Sequence, residues 1–526
     1  MKKYILLLGL ALSSGVMTSC DKFFDVNTDP NNPTTSTPNF LLPGIISQGV
    51  QTQMFTSLVT PFLTQYLVRR SPTGGSDQFI LTNGNSTNTF NYSYFYSGGT
   101  IPTLTKAAEQ EGSPYYIGAA KIIQAMLLAH ATDMLGDIPY SEAYQGAANY
   151  TPKYDSQEQI YATINTLCDE GIALMQKPAS DNFRPLYVTS PSISGDILFQ
   201  GNTQKWIKFA NGLKARQLNH LTKKSSYDPA KVLALVDQSM TSSADDAQLQ
   251  FQVAVAPLAG TTNIFGTTRN NFSTSSTSAT FSSNIIKYLN GNAAGAAYPG
   301  VVDPRLPIMA TAGSPGADPG VGNTSAATLV NGYVDFYSSW YARDLGYFEV
   351  LTYHEIKFIE AEAAYRAGNL NRALAAYREG IRAHMAKIGV GGTNSVPPVS
   401  FPLISGAQIE AYLNSAAVAQ STSELTLKRI MEQKYIAMFL NPESWSDLRR
   451  LDYDPTIYPN LKYPAGNAVN ATLAAQPDYK DRWPRRLLPG ATEVLYNPQA
   501  VAKLFADAMA TSNDDYIGKP LWWDRP

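Results

Sequence analysis

The chain has 526 residues, a formal charge of −2 and 16% charged residues, against about 25% in an average soluble domain. With no dominant basic patch it lacks the electrostatic footprint of a nucleic-acid binder. Its four histidines and two cysteines fall at no metal-ligand spacing, so neither a metal nor another cofactor is expected.

Met1-Lys2-Lys3 is a short basic start, followed by an apolar run from Ile5 to Leu12 that is too short to span a bilayer. Residues 1–19 read as a secretion signal. Its end, Met17-Thr18-Ser19-Cys20, resembles a bacterial lipobox, in which Cys20 becomes the first mature residue and carries lipid on its thiol. Residues 20–38 are rich in Asn, Asp, Pro and Thr and suit a tether between membrane and body. No other stretch is apolar enough to cross a membrane, and no linker divides residues 39–526, which read as a single domain. Cys168 is then the one remaining cysteine, placed on an apolar helical stripe with Ile164 and Ile172 and expected to be a buried structural thiol.

A helix is predicted from Asn39 to Val68, followed by a Gly/Ser/Asn-rich span and the aromatic stretch Phe90-Asn91-Tyr92-Ser93-Tyr94-Phe95-Tyr96. An extended backbone would put Phe90, Tyr92, Tyr94 and Tyr96 on one face. Either they are a half-buried strand or helix piece under neighbouring helices, or Tyr92, Tyr94 and Tyr96 form a surface for stacking against a ligand. Helices follow at Tyr115–Leu135, with His130 on the buried stripe, and at Ser156–Gln176, capped by Asp155 or Ser156. A third, Thr203–Lys224, should bury Trp206, Phe209, Leu213 and Leu221 and turn its cations, Arg216 among them, to solvent.

From Thr241 to Asn331 the chain is irregular and rich in Ser, Thr, Gly, Ala and Pro, and long loops in a compact protein are more often functional than idle. It ends in Tyr333–Arg343, where aromatic residues alternate with charge. Asp335, Tyr337, Trp340, Tyr341 and Arg343 are the second group of candidate ligand contacts. Two facing apolar stripes then predict an antiparallel helical hairpin across Tyr353–His384, turned at Gly368-Asn369, and Gly368, Ala373, Tyr377 and Gly380 resemble the pattern of a tetratricopeptide repeat. One such hairpin cannot bury its own surface, so others must stack on it. Helices at Glu424–Leu440 and from Asn441 to Arg450 complete the series, with Glu443 expected to pair with Arg449 or Arg450 near Trp445, and Trp522-Trp523 pinning the tail to the body.

Several stretches occur together in order: Cys20 before DVNTDPNNPT, LGDIPYSEA at Leu135–Ala143, TPKYDSQEQIYATI at Thr151–Ile164, YHEIKFIEAEAAYRAG at Tyr353–Gly368, EQKYIAMFLNPESWSDLRR at Glu432–Arg450 and PRRLLPGATEVLYN at Pro484–Asn497. Together they resemble the SusD/RagB family of outer-membrane nutrient-binding lipoproteins, in its SusD-like branch from Bacteroidota. The resemblance implies a mainly α fold: four tetratricopeptide-like helical pairs as scaffold, and an irregular, loop-rich half supplying the ligand surface. It also implies a role without catalysis. A lipid-anchored protein on the outer face of the outer membrane would capture glycans or peptides and deliver them to a SusC-like TonB-dependent transporter. The motifs are scaffold signatures, so the candidate ligand residues rest on local chemistry alone.

Two readings from other classes stand beside this one. An anchored glycoside hydrolase needs two carboxylates that meet only in the fold, but HExxH, GxSxG, GxxxxGKS and GxGxxG are all missing. A pure scaffold would use its helical pairs to hold other envelope proteins.

Overall fold

The computed structural model describes residues 36–70, 75–252, 262–266, 269, 279–310, 316–321, 339–395, 398–464 and 483–526. Residues 1–19, Cys20, Asp335 and Tyr337 lie outside the described residues.

The protein is mainly helical. Helix α1 (Pro38–Thr56) lies against α2 (Ile101–Glu111) and α3 (Pro114–Leu135). Nearly every side of α3 is buried, as in a helix at the centre of a large protein. It pairs with α4 (Gln157–Met175), which starts at a capping box formed by Ser156 and Gln159. That box satisfies two amides at the open end of the helix and is worth about 1 kcal/mol. Cys168 lies in this interface, fully buried, and burial pushes its thiol up to about 12. Helix α5 (Thr203–His220) packs on α4 and on α6 (Pro229–Val236).

The hairpin predicted from the central stripes forms as α7 (Tyr353–Arg366) and α8 (Leu370–Ile388), with Gly368 at φ +75° in the turn. The two backbones approach closely at Gly380, where a Cβ would lie 3.0 Å from the Phe358 ring. Glu360, at a position where the hairpin pattern favours an apolar residue, stays near the core by pairing with Lys357 and Arg372. Helices α9 (Gly406–Leu413) and α10 (Leu427–Ala437) pack on α8, and α11 (Glu443–Arg450) packs back on α5. Helix α12 (Pro498–Asp507) lies in the tail, and the fully buried Trp523 ring packs against His220.

Strands are short and paired two by two: β1 (Leu67–Arg69) with β3 (Ala279–Phe281), and β2 (Ala247–Gln250) with β4 (Tyr347–Leu351), both antiparallel. One continuous cluster of buried apolar side chains runs from Leu42 to Ile517. Among the described residues no helix is long and apolar enough to cross a membrane.

Charge runs through the middle of the helical stack. Arg216 is buried, not turned to solvent, because both arms of its guanidinium meet Glu355 of α7 at 2.6 Å. Arg450 of α11 grips Glu362 of α7 in the same two-armed way, and Lys434 reaches Asp447. The expected pairing of Glu443 with Arg449 or Arg450 does not form. Those residues stand about 9–10 Å apart along the helix axis, so Glu443 meets His220 at 2.6 Å, while Arg449 stacks 3.9 Å over Trp445. Burial opposes the charge on Glu362, but Arg450 and Arg366 outweigh it and hold the carboxyl well below its usual range.

All four histidines of the chain are buried. Burial lowers His130 to about 4 and His354 to about 3, and holds His384 well below its ordinary value. Burial acts the same way on His220, yet Glu443 and Asp133 prevail and raise it to about 9.

Two outcomes follow for stability. Glu362→Ala leaves Arg450 without its main partner in the interior and should cost about 3–5 kcal/mol, read as a lower midpoint in urea denaturation with an unchanged slope. The thermal midpoint should also peak near pH 6.5. Below it the unfolded chain binds protons that His130, His354 and His384 refuse when folded. Above it the unfolded chain loses the proton that folded His220 keeps up to about pH 9. His220→Gln should flatten the alkaline limb of a melting series from pH 4 to pH 9.

Candidate functional site

The aromatic stretch is not a strand. Helix Gly84–Phe90 continues into a π-helical turn, Asn91–Tyr96, closed by the Ser97 amide on the Tyr92 carbonyl at 3.1 Å. The even-numbered rings therefore divide into two stacks, because residues four apart lie over one another in a helix. Phe90 faces Tyr94 with centroids 5.0 Å apart, and Tyr92 faces Tyr96, also at 5.0 Å. Gly98 makes the turn possible, since a Cβ there would fall 1.9 Å from the Ser93 carbonyl oxygen.

The two stacks have different fates. Tyr94 leans inward onto Tyr144, centroids 5.8 Å apart and nearly parallel, and burial raises its phenol well above the usual range. Tyr92 is held from below: its ring stacks on Phe55 of α1 at 5.2 Å and its hydroxyl donates to Gln51 Oε1 at 3.1 Å. Tyr96 is 42% exposed, and Phe95, edge-on to it at 5.2 Å, is 74% exposed. Phe95, Tyr96 and Tyr92 thus make an outward aromatic ridge on a fixed base. Burial also raises the Tyr92 phenol, and Arg269 of the irregular span is near enough to act against that.

The second group of candidates is mostly inward. Trp340 opens a short 3₁₀ turn and is 4% exposed. Arg343 lies 3.7 Å over its ring and donates from Nε to the Trp340 carbonyl at 2.8 Å, and burial lowers its guanidinium to about 10. Tyr341 places its ring edge on Phe439 at 5.1 Å and its hydroxyl 3.2 Å from His384 Nε2. Asn263 ties the segment down by donating to the carbonyls of Tyr341 and Arg343. Of this group Arg343 retains partial exposure at the side chain best suited to a polar ligand.

Asp133, His220 and Glu443 bring ligand atoms within 4.8 Å of one another, the one such group found among the described residues. Its chemistry fits an ion network better than a metal. His220 is held protonated by the two carboxylates, and an imidazolium has no lone pair to give. Tyr161 and Gln217 donate to the Asp133 oxygens at 2.6 and 2.8 Å.

A family model described as "Starch-binding associating with outer membrane", SusD-like_2, matches residues 30–476. The chain belongs to the SusD-like family. Solved structures agree on the fold. A chitin-binding SusD homolog from Flavobacterium johnsoniae is 19% identical over 92% of this chain and 98% of its own, with a TM-score of 0.67. A SusD/RagB family protein from Bacteroides thetaiotaomicron is 22% identical over 93% and 99%, with a TM-score of 0.66. A SusD homolog from Bacteroides fragilis is 21% identical over 91% and 99%, with a TM-score of 0.65. No curated protein matches the chain. The SusD-like match takes in the aromatic ridge, the Trp340–Arg343 turn and the buried ion network, and it ends before α12 and Trp522-Trp523.

Proposed function

We propose that this SusD-like protein captures glycans at the cell surface and delivers them, uncleaved, to a SusC-like TonB-dependent transporter. The observation that carries the reading is the ridge of Phe95, Tyr96 and Tyr92. Three rings stand on a base fixed by Gln51 and Phe55, in a family whose model is described as starch-binding. Flat rings stack on the apolar faces of sugars and give up little conformational freedom in doing so. Tyr94 backs the ridge from within. Arg343 would add hydrogen-bond donors, with Trp340 and Tyr341 fixing its place, and Asp335 and Tyr337 are proposed as further ligand contacts on their chemistry alone. Cys20 is the lipid anchor, and residues 39–526 act as one domain.

Capture without turnover is supported by where the acids lie. A glycosidase places two carboxyl groups about 5–9.5 Å apart across an open cleft. Here the acids of the tightest cluster, Asp133 and Glu443, are buried and spent on His220, Tyr161 and Gln217. The ridge is an open surface with no such pair among its own residues.

Alanine at both Phe95 and Tyr96 should lower affinity for a bound oligosaccharide at least tenfold, or about 1.4 kcal/mol, with an unchanged melting temperature because both rings face outward. Tyr94→Ala should do the reverse, lowering the melting temperature and sparing affinity. Calorimetric titration and thermal denaturation of the variants separate the two, and unchanged affinity in the Phe95/Tyr96 variant would remove the ridge from the site.

A further inference from the structure

The end of β2 carries a pattern that the ridge does not use. Gln248-Leu249-Gln250-Phe251-Gln252 alternates amide and apolar residues, and the two-residue period of a strand sends each set to its own face. Burial follows the period: Ala247, Leu249 and Phe251 are in the core, Gln248 is half-buried, and Gln250 and Gln252 are exposed. The amides thus form a row with roughly 6.8 Å between neighbours, two residues of strand rise.

The register of β2 on β4 sets Gln250 opposite Tyr347 and Gln248 opposite Glu349. Tyr347 is 38% exposed, so a phenol ring stands beside the amide row. Tyr187, Gln200 and, from α5, Lys205 line the same open groove of about 620 Å³ as the amide row and Tyr347, within the range of small-molecule sites. Among the described residues the side chains of Gln200, Gln250 and Gln252 and the hydroxyls of Tyr187 and Tyr347 make no hydrogen bond.

The groove is close to neutral. Asp246 on its floor is committed to Lys387 at 2.6 Å and to the Tyr353 amide at 2.6 Å, which leaves Lys205 as the one uncommitted charge among the lining residues named here. An amide offers a donor and an acceptor together, as a sugar hydroxyl does, and a phenol ring offers a flat apolar face. An extended peptide would instead use the strand's backbone edge and alternate apolar pockets, whereas the free groups here are side chains on the face of the ribbon.

We infer that this groove is a second glycan subsite, taking a neutral oligosaccharide among the Gln248–Gln252 amide row, Tyr347, Tyr187 and Gln200. The inference rests on the capture reading, and it gives the chain two separate binding places.

The test is calorimetric titration of the purified full chain with neutral hexasaccharides of α-glucose, β-glucose, β-xylose and N-acetylglucosamine. Wild type is compared with Gln250→Ala/Tyr347→Ala, with Gln250→Leu, and with Phe95→Ala/Tyr96→Ala. The expected result is two hexasaccharides per wild-type chain and one per chain in the groove and ridge double variants. Gln250→Leu, which keeps bulk and removes both polar atoms, should weaken the groove site at least tenfold. Groove variants that bind as wild type does, while the ridge variant binds nothing, would overturn the groove and leave capture standing. A wild type that binds none of the four sugars would overturn both readings. Binding of an unstructured peptide that the groove variants alone lose would overturn the assigned ligand class.

Discussion

The two-armed grip of Arg450 on Glu362, together with that of Arg216 on Glu355, is the constraint on which the rest of the molecule depends. It ties α5 and α11, far apart in sequence, to opposite halves of one short helix, α7. Buried ion pairs of this kind add little over well-packed apolar residues, but a lost partner leaves a charge stranded in the interior. Their weight therefore falls on which helices meet and in what register. Asn219 donating to Glu362 and Lys434 meeting Asp447 extend the same network.

From that network a continuous path leads to the aromatic ridge. Tyr161 and Gln217 fix Asp133 on α3, and one turn earlier His130 meets Thr56 Oγ1 at the end of α1 at 2.8 Å. Phe55, the neighbour of Thr56, is the ring under Tyr92. A neutral His130, with its proton affinity lowered by burial, is what that position requires. The ridge is thus a surface feature seated on core packing, and so two exposed rings hold a fixed attitude on a short turn.

Local chemistry made much of the scaffold legible in the sequence. The stripes of α7 and α8, the Ser156 cap and the burial of Cys168 all follow from periodicity and composition over a few residues. Long-range pairing was not legible. Arg216 reads as one more surface cation until Glu355, 139 residues away, is seen beside it, and Glu443 turns to His220 on another helix. At Phe90–Tyr96 the aromatic alternation leaves strand and helix both open, and counting one face at a spacing of two misses that the neighbours continue a helix and the period becomes four. That reading passed over Phe95, the ring that faces solvent most fully, because it stands at an odd position. The glutamine alternation at Gln248–Gln252 was a clean strand signal, masked by the polar, irregular composition around it.

The central claim is that the protein holds glycans without altering them. The most direct measurement titrates purified wild-type protein with starch, chitin and xylan oligosaccharides and analyses the same mixtures by chromatography after prolonged incubation. Saturable heat with every oligosaccharide recovered at its starting length is the predicted result. Shortened products, or no heat with any of the sugars, would contradict the account.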